Sequence, residues 1–263
     1  MSSQAINYLD FDQTQQQTGL RMVVVKGLPS PWGEAAKGIL HIKQLEWSAC
    51  YHDPRSREMS AWTGSRSAPV AIYNNEAPAE SLLDILLLAE RLAPQPALLP
   101  QDPAQRELAI SLCQDLCGEM GLGWTRRLDG VQKGLNGKSL SEGGYPEPIA
   151  QYLAQKYGYE AERGPDYSKL TINLLKSLST RLKDQQANGQ PFYIGDSITA
   201  VDIYSAAFMA YFKPLPAEQC PMHEPMRAVF EALDEETKAA LDSILLEHRD
   251  YIYNHYLALP LSL

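Results

Sequence analysis

The chain contains 263 residues and carries a formal net charge of −9 at pH 7, with a sequence pI near 5.1. That length suffices for a sizeable core, and we expect two domains of unequal size. The acidic balance argues against nucleic acid as a partner, because phosphate backbones are usually bound by an excess of Lys and Arg.

The spacing of the cysteines and the length of the apolar runs indicate the cellular compartment in which we expect the chain. None of the four cysteines has the spacing of a disulfide framework or a zinc site, and Cys113 and Cys117 are typical of buried small hydrophobes. We therefore expect no metal and a reducing, cytoplasmic location. The most apolar run, residues 82–92, is too short to span a bilayer, and the N-terminus lacks a signal-peptide pattern, so we expect no membrane partner.

The first 93 residues predict a short arm followed by an α/β domain. Residues 1–18 are rich in Gln and Ser without periodicity, which predicts a loose arm. One helix then starts near Pro31 and another at Ser81. Three strands are predicted, at residues 21–26, 45–51 and 70–73. This order fits a thioredoxin-like domain over residues 19–93.

A proline-rich linker separates this domain from a helical one. Residues 94–103 contain four prolines, and no helix crosses such a segment intact. Beyond the linker only helical patterns occur, so residues 104–263 predict an all-α domain. The Gly-rich segment 130–148 predicts a loop or insertion within it. The candidate helices are 104–127, 149–157, 167–186, 200–211 and 226–256.

Residues 67–81 carry the most informative pattern in the sequence. They combine a proline before a β-rich run, a turn-prone Asn-Asn and an acidic-hydroxyl pair at a helix start. In this order, these features resemble the glutathione-binding half of the glutathione transferase family. The alternative for each residue alone is structural: Pro69 begins an edge strand, and Ser81 caps a helix.

The resemblance implies a docking site for glutathione. It implies that the Ala68–Pro69 peptide is cis, an isomer that X-Pro bonds tolerate far better than other peptide bonds do. The amide and carbonyl of Ala68 then pair with the extended ligand as an added strand would. Glu80 accepts the ligand's ammonium group. Ser81, at the positive end of a helix dipole, holds its carboxylate.

A second family signature lies in residues 192–204. Thr199 and Asp202 have the spacing of a capping box, with Asp in place of the usual Glu or Gln. Glutathione transferases carry this box at the start of the buried helix of their second domain, so we interpret both residues as structural. Together with the linker, the two signatures extend the resemblance across most of residues 20–257.

The loop after the first strand offers a group for the glutathione sulfur. In the family this loop presents a Tyr, Ser or Cys, and here Ser30-Pro31-Trp32 resembles the Cys-Pro-Phe of the cysteine-using classes. A hydroxyl donates a hydrogen bond to a thiolate but cannot form a mixed disulfide with it. The resemblance therefore implies that Ser30 is the catalytic residue. The alternative is that Ser30 is an N-cap before a proline at the first helical position.

Residues near the domain boundary are candidates for a co-substrate pocket. We assign Trp32 and Trp124 to it, although Trp124 is equally plausible as core. Arg126 and Arg127 follow Trp124 and are further candidates. Three arginines lie near the region where family members contact the glycine end of the peptide, and the spacing selects none of them: Arg55, Arg57 and Arg66.

Three functions are compatible with the resemblance. The first is a glutathione transferase, in which glutathione is the co-substrate and its thiolate attacks a small hydrophobic electrophile, as in detoxification. The second is a module that binds glutathione or apolar ligands without turnover. The third, glutathione-dependent thiol–disulfide exchange, requires a reactive cysteine that the Ser30 loop lacks. The resemblance also implies a homodimer.

Overall fold

The computed structural model describes residues 6–263 and places a four-stranded sheet in the N-terminal part of the chain. The sheet has the order β1-β3-β2-β4, in which β1 and β2 run parallel to β3 and β4 runs antiparallel to β2. This small mixed sheet confirms the predicted thioredoxin-like domain. The strands are β1 (Asn7–Tyr8), β2 (Leu20–Val24), β3 (Trp47–Tyr51) and β4 (Val70–Tyr73).

Helices cover both faces of this sheet. On one face, Met22 and Val24 of β2 join the main hydrophobic core with residues of α2 and α4. On the other face, Val23 packs with Met59 of α3 and with α1. Successive side chains of a strand point to opposite faces, so a strand buried on both is apolar throughout. The helices are α1 (Phe11–Gln16), α2 (Pro31–Ile42), α3 (Arg57–Thr63) and α4 (Leu82–Leu92).

Part of the predicted N-terminal arm is folded. Residues 1–5 lie outside the described residues, but residues 7–16 contain β1 and α1, so the prediction of a loose arm is wrong there. Asp10 caps α1 by accepting a hydrogen bond from the Gln13 amide at 2.7 Å. β1 has only two residues and is held by its pairing with β3. Such a short strand shows no periodicity that a sequence analysis could detect.

The remainder of the chain is helical, which confirms the predicted fold class. The candidate helix 104–127 is interrupted at residues 118–121, and the candidate helix 226–256 consists of three shorter ones. Within residues 6–263, no helix has both the length and the apolar character needed to cross a membrane. The helices are α5 (Pro103–Cys117), α6 (Leu122–Leu135), α7 (Glu147–Tyr157), α8 (Gly164–Ala187), α9 (Ala200–Phe208), α10 (Glu224–Glu231), α11 (Glu235–Ala240) and α12 (Ser243–Tyr256).

Helix α9 is the central helix of the helical domain. All of its residues are buried, and it packs against α2, α5 and α12. At its N-terminus the Asp202 carboxylate accepts hydrogen bonds from the amide and the hydroxyl of Thr199, both at 2.8 Å. Asp202 also accepts from the Tyr193 amide at 3.0 Å and lies 3.1 Å from Nε2 of His248. These contacts agree with a structural role for Thr199 and Asp202.

The Gly-rich segment 130–148 contains less loop than the sequence predicts. Residues 130–135 belong to α6, so the loop prediction is wrong for them. A β-carbon at Gly130 would lie 2.7 Å from the ring of Tyr145, and one at Gly134 would lie 2.2 Å from the Tyr145 carbonyl oxygen. These two glycines therefore allow the returning chain to pack directly on α6, rather than making the segment a loop.

Candidate functional site

The residues assigned to the glutathione site lie at one edge of the sheet, where β2 ends and β4 begins. Val23 of β2 is paired with Val70 of β4. Because the two strands are antiparallel, Ala68 and Pro69 lie beside the chain that leaves β2 toward Ser30. The cis-proline loop and the start of α2 therefore occupy the same end of the domain.

A short return of the chain brings the acidic-hydroxyl pair to this edge. Ala71 and Ala79 form an isolated antiparallel bridge, with amide-to-carbonyl hydrogen bonds of 3.0 and 2.8 Å. This bridge places Glu80 and Ser81 alongside the start of β4 and its preceding proline, Pro69. The structure thus brings together the four residues that the sequence assigns to glutathione and its sulfur.

Ser30 presents an uncommitted hydroxyl at the N-terminus of α2. It occupies the N-cap position before Pro31, but its side chain makes no capping hydrogen bond. Its backbone is engaged instead: the amide donates to the Leu28 carbonyl at 2.8 Å, and the carbonyl accepts from the Glu34 amide at 2.8 Å. Among residues 6–263 the Ser30 hydroxyl has no hydrogen-bond partner. It is therefore available to a ligand thiol.

The cis-proline loop presents free backbone groups. The Ala68–Pro69 peptide is cis, which confirms what the resemblance implies. In the described part of the chain, neither the amide nor the carbonyl of Ala68 makes a backbone hydrogen bond. Ala68 itself is half-buried. Its two polar groups are thus free to pair with an extended peptide.

Glu80 has an exposed carboxylate without an ionic partner. It lies against Gly64, where an added β-carbon would come within 2.8 Å of Glu80 Oε1. Gly64 ends α3 with a φ of 69°, a conformation that favours glycine. No other residue between positions 6 and 263 forms an ion pair or hydrogen bond with this carboxylate. A ligand ammonium group could therefore bind it without displacing a protein partner.

Ser81, in contrast, is already engaged. It caps α4 with its hydroxyl, which lies 3.1 Å from the Asp84 amide, and its own amide donates to the Asp84 carboxylate at 3.2 Å. The hydroxyl also lies 2.6 Å from that carboxylate. The structural alternative for Ser81 is thus present in the structure. The groups expected to hold a ligand carboxylate therefore already bind the Asp84 carboxylate. The Ser-x-x-Asp spacing, which is typical of a capping box, was the signal in the sequence for this arrangement.

Beside the start of α2, aromatic rings from both domains form a wall around Arg127: Trp32 of α2, and Tyr157 and Tyr211 of the helical domain. The Arg127 guanidinium carbon lies 5.0 Å from the ring centroid of Trp32, 4.6 Å from that of Tyr157 and 5.3 Å from that of Tyr211. Its two terminal nitrogens donate to the hydroxyls of these two tyrosines. Trp32 is fixed by its own hydrogen bond, from Nε1 to the Cys117 carbonyl at 2.9 Å.

The remaining pocket candidates divide between this wall and the core. Trp124 packs edge-on against Tyr157 with ring centroids 4.7 Å apart, and its Nε1 donates to the Tyr157 carbonyl at 3.1 Å. Arg126 is buried away from the wall and pairs with Asp129 at 3.1 Å. Trp124 therefore packs against Tyr157 of the wall, whereas Arg126 belongs to a buried network of hydrogen bonds and an ion pair.

Two further cationic side chains, those of Lys156 and Arg66, lie close to the wall. The Lys156 ammonium is 5.8 Å from the Tyr157 ring centroid. Burial lowers the pKa of Lys156, and the nearby charges of Arg127 and Arg66 lower it further. Burial also lowers the pKa of His52, as does the charge of Lys156. Arg66, two residues before Ala68, is thus the one among the three candidate arginines that acts electrostatically on Lys156.

Sequence reasoning did not single out Lys156, Tyr157 or Tyr211. Tyr157 is 30 residues from Arg127, and Tyr211 is 84 residues from it. No local motif marks them, because only the packing of α6, α7 and the short 3-10 turn after α9, Met209–Tyr211, brings them together.

The cysteines are unsuited to thiol exchange. Burial raises the pKa of the Cys117 thiol to about 12 and that of Cys113 well above its ordinary value. Burial raises the pKa of Cys220 to about 11, and it also raises that of Cys50. Thiols with raised pKa values are poor nucleophiles at neutral pH.

A large cavity among the described residues lies away from this edge. It has a volume of about 1020 Å³ and lies between α2, the opposite ends of the strands and the C-terminal segment. Lys37, His41, Trp47 and Ser262 are among its lining residues. None of the residues assigned to glutathione lines it, so cavity size does not identify the candidate site.

Sequence and structure comparisons gave different results. No protein-family model and no curated protein matches the sequence. The fold matches a glutathione S-transferase from Methylobacterium radiotolerans in complex with glutathione sulfonate, with 18% identity, 90% of this chain and 92% of the other covered, and a TM-score of 0.58.

Two further solved structures share the architecture. A glutathione transferase family member from Pseudomonas fluorescens with two glutathione bound matches at 16% identity, with 92% and 93% of the two chains covered and a TM-score of 0.60. A maleylacetoacetate isomerase from Methylobacterium extorquens matches at 18% identity, with 87% and 95% covered and a TM-score of 0.52. The chain therefore has the fold of the glutathione transferases.

Proposed function

We propose that this chain binds glutathione along Ala68, Glu80 and Ser81 and transfers its thiolate to a small electrophile, with Ser30 as the residue that orients the sulfur. One observation carries the proposal. The Ser30 hydroxyl has no partner among the described residues, and it lies at the same sheet edge as the unpaired backbone groups of Ala68. All three of the solved structures described above contain glutathione or its sulfonate.

Ser30 and α2 together could supply the required thiolate stabilisation. A free thiol has a pKa of about 8.5, and lowering it by about two units requires about 2.7 kcal/mol. A hydrogen bond to a charged group contributes about 1.5–3 kcal/mol, and a helix N-terminus contributes about 0.3–1 kcal/mol. The thiolate sulfur then forms the new bond to carbon, and the leaving group of the electrophile departs with its electron pair.

The other functions differ in what they require of the chain. A module that binds glutathione without turnover needs the Ala68 and Glu80 groups but not the Ser30 hydroxyl. Thiol–disulfide exchange needs a thiol of low pKa, whereas burial raises the pKa of the cysteines. We also propose a homodimer, which the shared fold supports. We propose a cytoplasmic location as well, which the free cysteines support. A sedimentation mass that stays at the monomer value at every concentration would contradict the dimer.

Replacement of Ser30 tests the catalytic role. We expect Ser30→Ala to lower kcat/KM for conjugation of glutathione to an activated aryl halide by about tenfold to a hundredfold, through loss of one hydrogen bond to the thiolate. The ionisation of the bound thiol, followed by ultraviolet absorbance, should move up by about one pH unit or more. Ser111→Ala, on the exposed side of α5, is the matched control. Unchanged conjugation and unchanged thiol ionisation in Ser30→Ala would remove Ser30 from the mechanism.

A further inference from the structure

The wall of aromatic rings beside the start of α2 holds a guanidinium group in a fixed position. Arg127 lies among the rings of Trp32, Tyr157 and Tyr211, at 4.6 to 5.3 Å from their centroids. Its bonds to the two tyrosine hydroxyls use two of its five N–H donors. The remaining donors are held in place for another acceptor.

Arg127 has no carboxylate to neutralise it. None of the ion pairs between residues 6 and 263 includes Arg127, Lys156 or Arg66, whereas the adjacent Arg126 pairs with Asp129 at 3.1 Å. Tyrosine hydroxyls and aromatic faces stabilise a cation but do not cancel its charge. Charged groups that lose contact with water are normally paired, so a half-buried arginine without a carboxylate is unusual.

Lys156 adds a second positive charge to the same wall. Its ammonium lies 5.8 Å from the Tyr157 ring, which Arg127 also contacts. The charges of Arg127 and Arg66 add to burial in lowering the pKa of Lys156, so like charges face one another here. Lys156 lies in the last turn of α7, where the helix dipole offsets part of its charge. Asp53 raises the pKa of His52, whereas Lys156 lowers it. Among the described residues, Asp53 forms no ion pair with Lys156, Arg127 or Arg66.

Resting on the proposed function, we infer that the electrophile carries a carboxylate, which Arg127 and Lys156 of the helical domain bind. The aromatic rings that surround Arg127 suit the apolar body of a small acid, while the two cations suit its charged end. Trp32 joins this subsite to Ser30, because both belong to the start of α2. The inference changes the expected co-substrate from a purely hydrophobic electrophile to an amphipathic acid.

A matched pair of ligands tests the subsite without requiring turnover. The probes are 4-methylbenzoate and its neutral amide, titrated calorimetrically into the protein with and without saturating glutathione. We expect the carboxylate to bind at least about tenfold more tightly than the amide, and Lys156→Gln to remove most of this difference. Lys176→Gln, an exposed lysine on α8 without an ionic partner in the described chain, should keep it.

A second variant and a glutathione titration separate the possible failures. Arg127→Gln should also abolish the preference for the carboxylate, and circular dichroism shows whether that variant folds. If glutathione binds but the acid and the amide bind equally, the subsite is wrong and the proposed function stands. If glutathione does not bind but the acid is preferred in a Lys156-dependent manner, the proposed function fails and the anion subsite stands. Equal binding of both probes to wild type overturns the inference in either case.

Discussion

At the scale of single residues, the polar groups of the candidate site differ in whether another residue already binds them. Ser30, Ala68 and Glu80 have no hydrogen-bonding or ionic partner for the groups that the proposal uses. Ser81 has both its amide and its hydroxyl on Asp84. Glutathione binding at Ser81 must therefore displace the Asp84 carboxylate, which costs two hydrogen bonds to a charged group, and the ligand carboxylate then forms two in their place.

Removal of the competing charge should strengthen glutathione binding. We expect Asp84→Asn to lower the Kd for glutathione by about twofold to tenfold, because the ligand carboxylate no longer meets a like charge at the start of α4. The same change should lower Tm slightly, through the weaker capping box. Calorimetric titration gives the Kd, and thermal unfolding gives the Tm. A Kd that stays the same or rises would show that the ligand carboxylate does not replace that of Asp84.

The candidate site residues predicted from the sequence are those that lie in local motifs. Ser30, Ala68, Glu80 and Ser81 occur in short motifs, and the structure brings them to one sheet edge. The charged wall could not be found in this way, since Arg127 acquires its surroundings from Trp32, Tyr157 and Tyr211, which are distant in sequence. Local patterns record helix starts and turns, whereas such a cluster exists only after packing.

At the scale of elements, length decided how well the sequence predicted the structure. β3, β4 and α4 contain enough apolar or β-branched residues to be recognised within a few residues of their bounds. β1 has two residues and depends on its pairing with β3, so it carried no signal of its own. The glycines of α6 do not form the loop that they predict, because the sequence does not show whether a glycine bends the chain or allows a neighbouring segment to pack closely.

Gly134 distinguishes these two roles of glycine. In a helix, alanine is favoured over glycine by about 1 kcal/mol, so propensity alone predicts that Gly134→Ala stabilises α6. A β-carbon there would lie 2.2 Å from the Tyr145 carbonyl oxygen, which belongs to the backbone and cannot rotate away. We expect overpacking to dominate and to destabilise the protein by about 1–3 kcal/mol. Urea unfolding measures this change, and a rise in stability would mean that the segment does not pack on α6 as described.

At the scale of the whole molecule, several polar contacts join the sheet domain to the helical one. The Tyr204 hydroxyl on α9 donates to the Leu82 carbonyl on α4 at 2.9 Å. The Lys37 ammonium on α2 donates to the Ser262 carbonyl at 2.6 Å, so the C-terminal segment is tied back to the first domain. These contacts hold α9 and the C-terminal segment against the first domain, and Arg127 contacts the same domain through the ring of Trp32.

The two-domain order was predictable because composition changes at the linker, but the arrangement of the domains was not. Residues 94–103 are proline-rich, and the pattern turns helical after them. How α6 and α7 face the cis-proline loop depends on contacts such as that between Trp32 and Phe208, whose ring centroids are 4.9 Å apart. The surroundings of Arg127 are therefore a property of the assembled fold.

Calorimetric titration with glutathione tests most directly whether the chain binds glutathione at Glu80 and Ser81. Wild type is compared with the double variant Glu80→Ala, Ser81→Ala. We predict saturable binding by wild type and at least about tenfold weaker binding by the double variant, since charge-assisted hydrogen bonds to both the ammonium and the carboxylate on the γ-glutamyl α-carbon are lost. The matched control, Glu107→Ala with Ser111→Ala on the exposed face of α5, should bind as wild type does. Absence of binding to wild type at millimolar glutathione, or equal binding by the double variant and the control, would contradict the account.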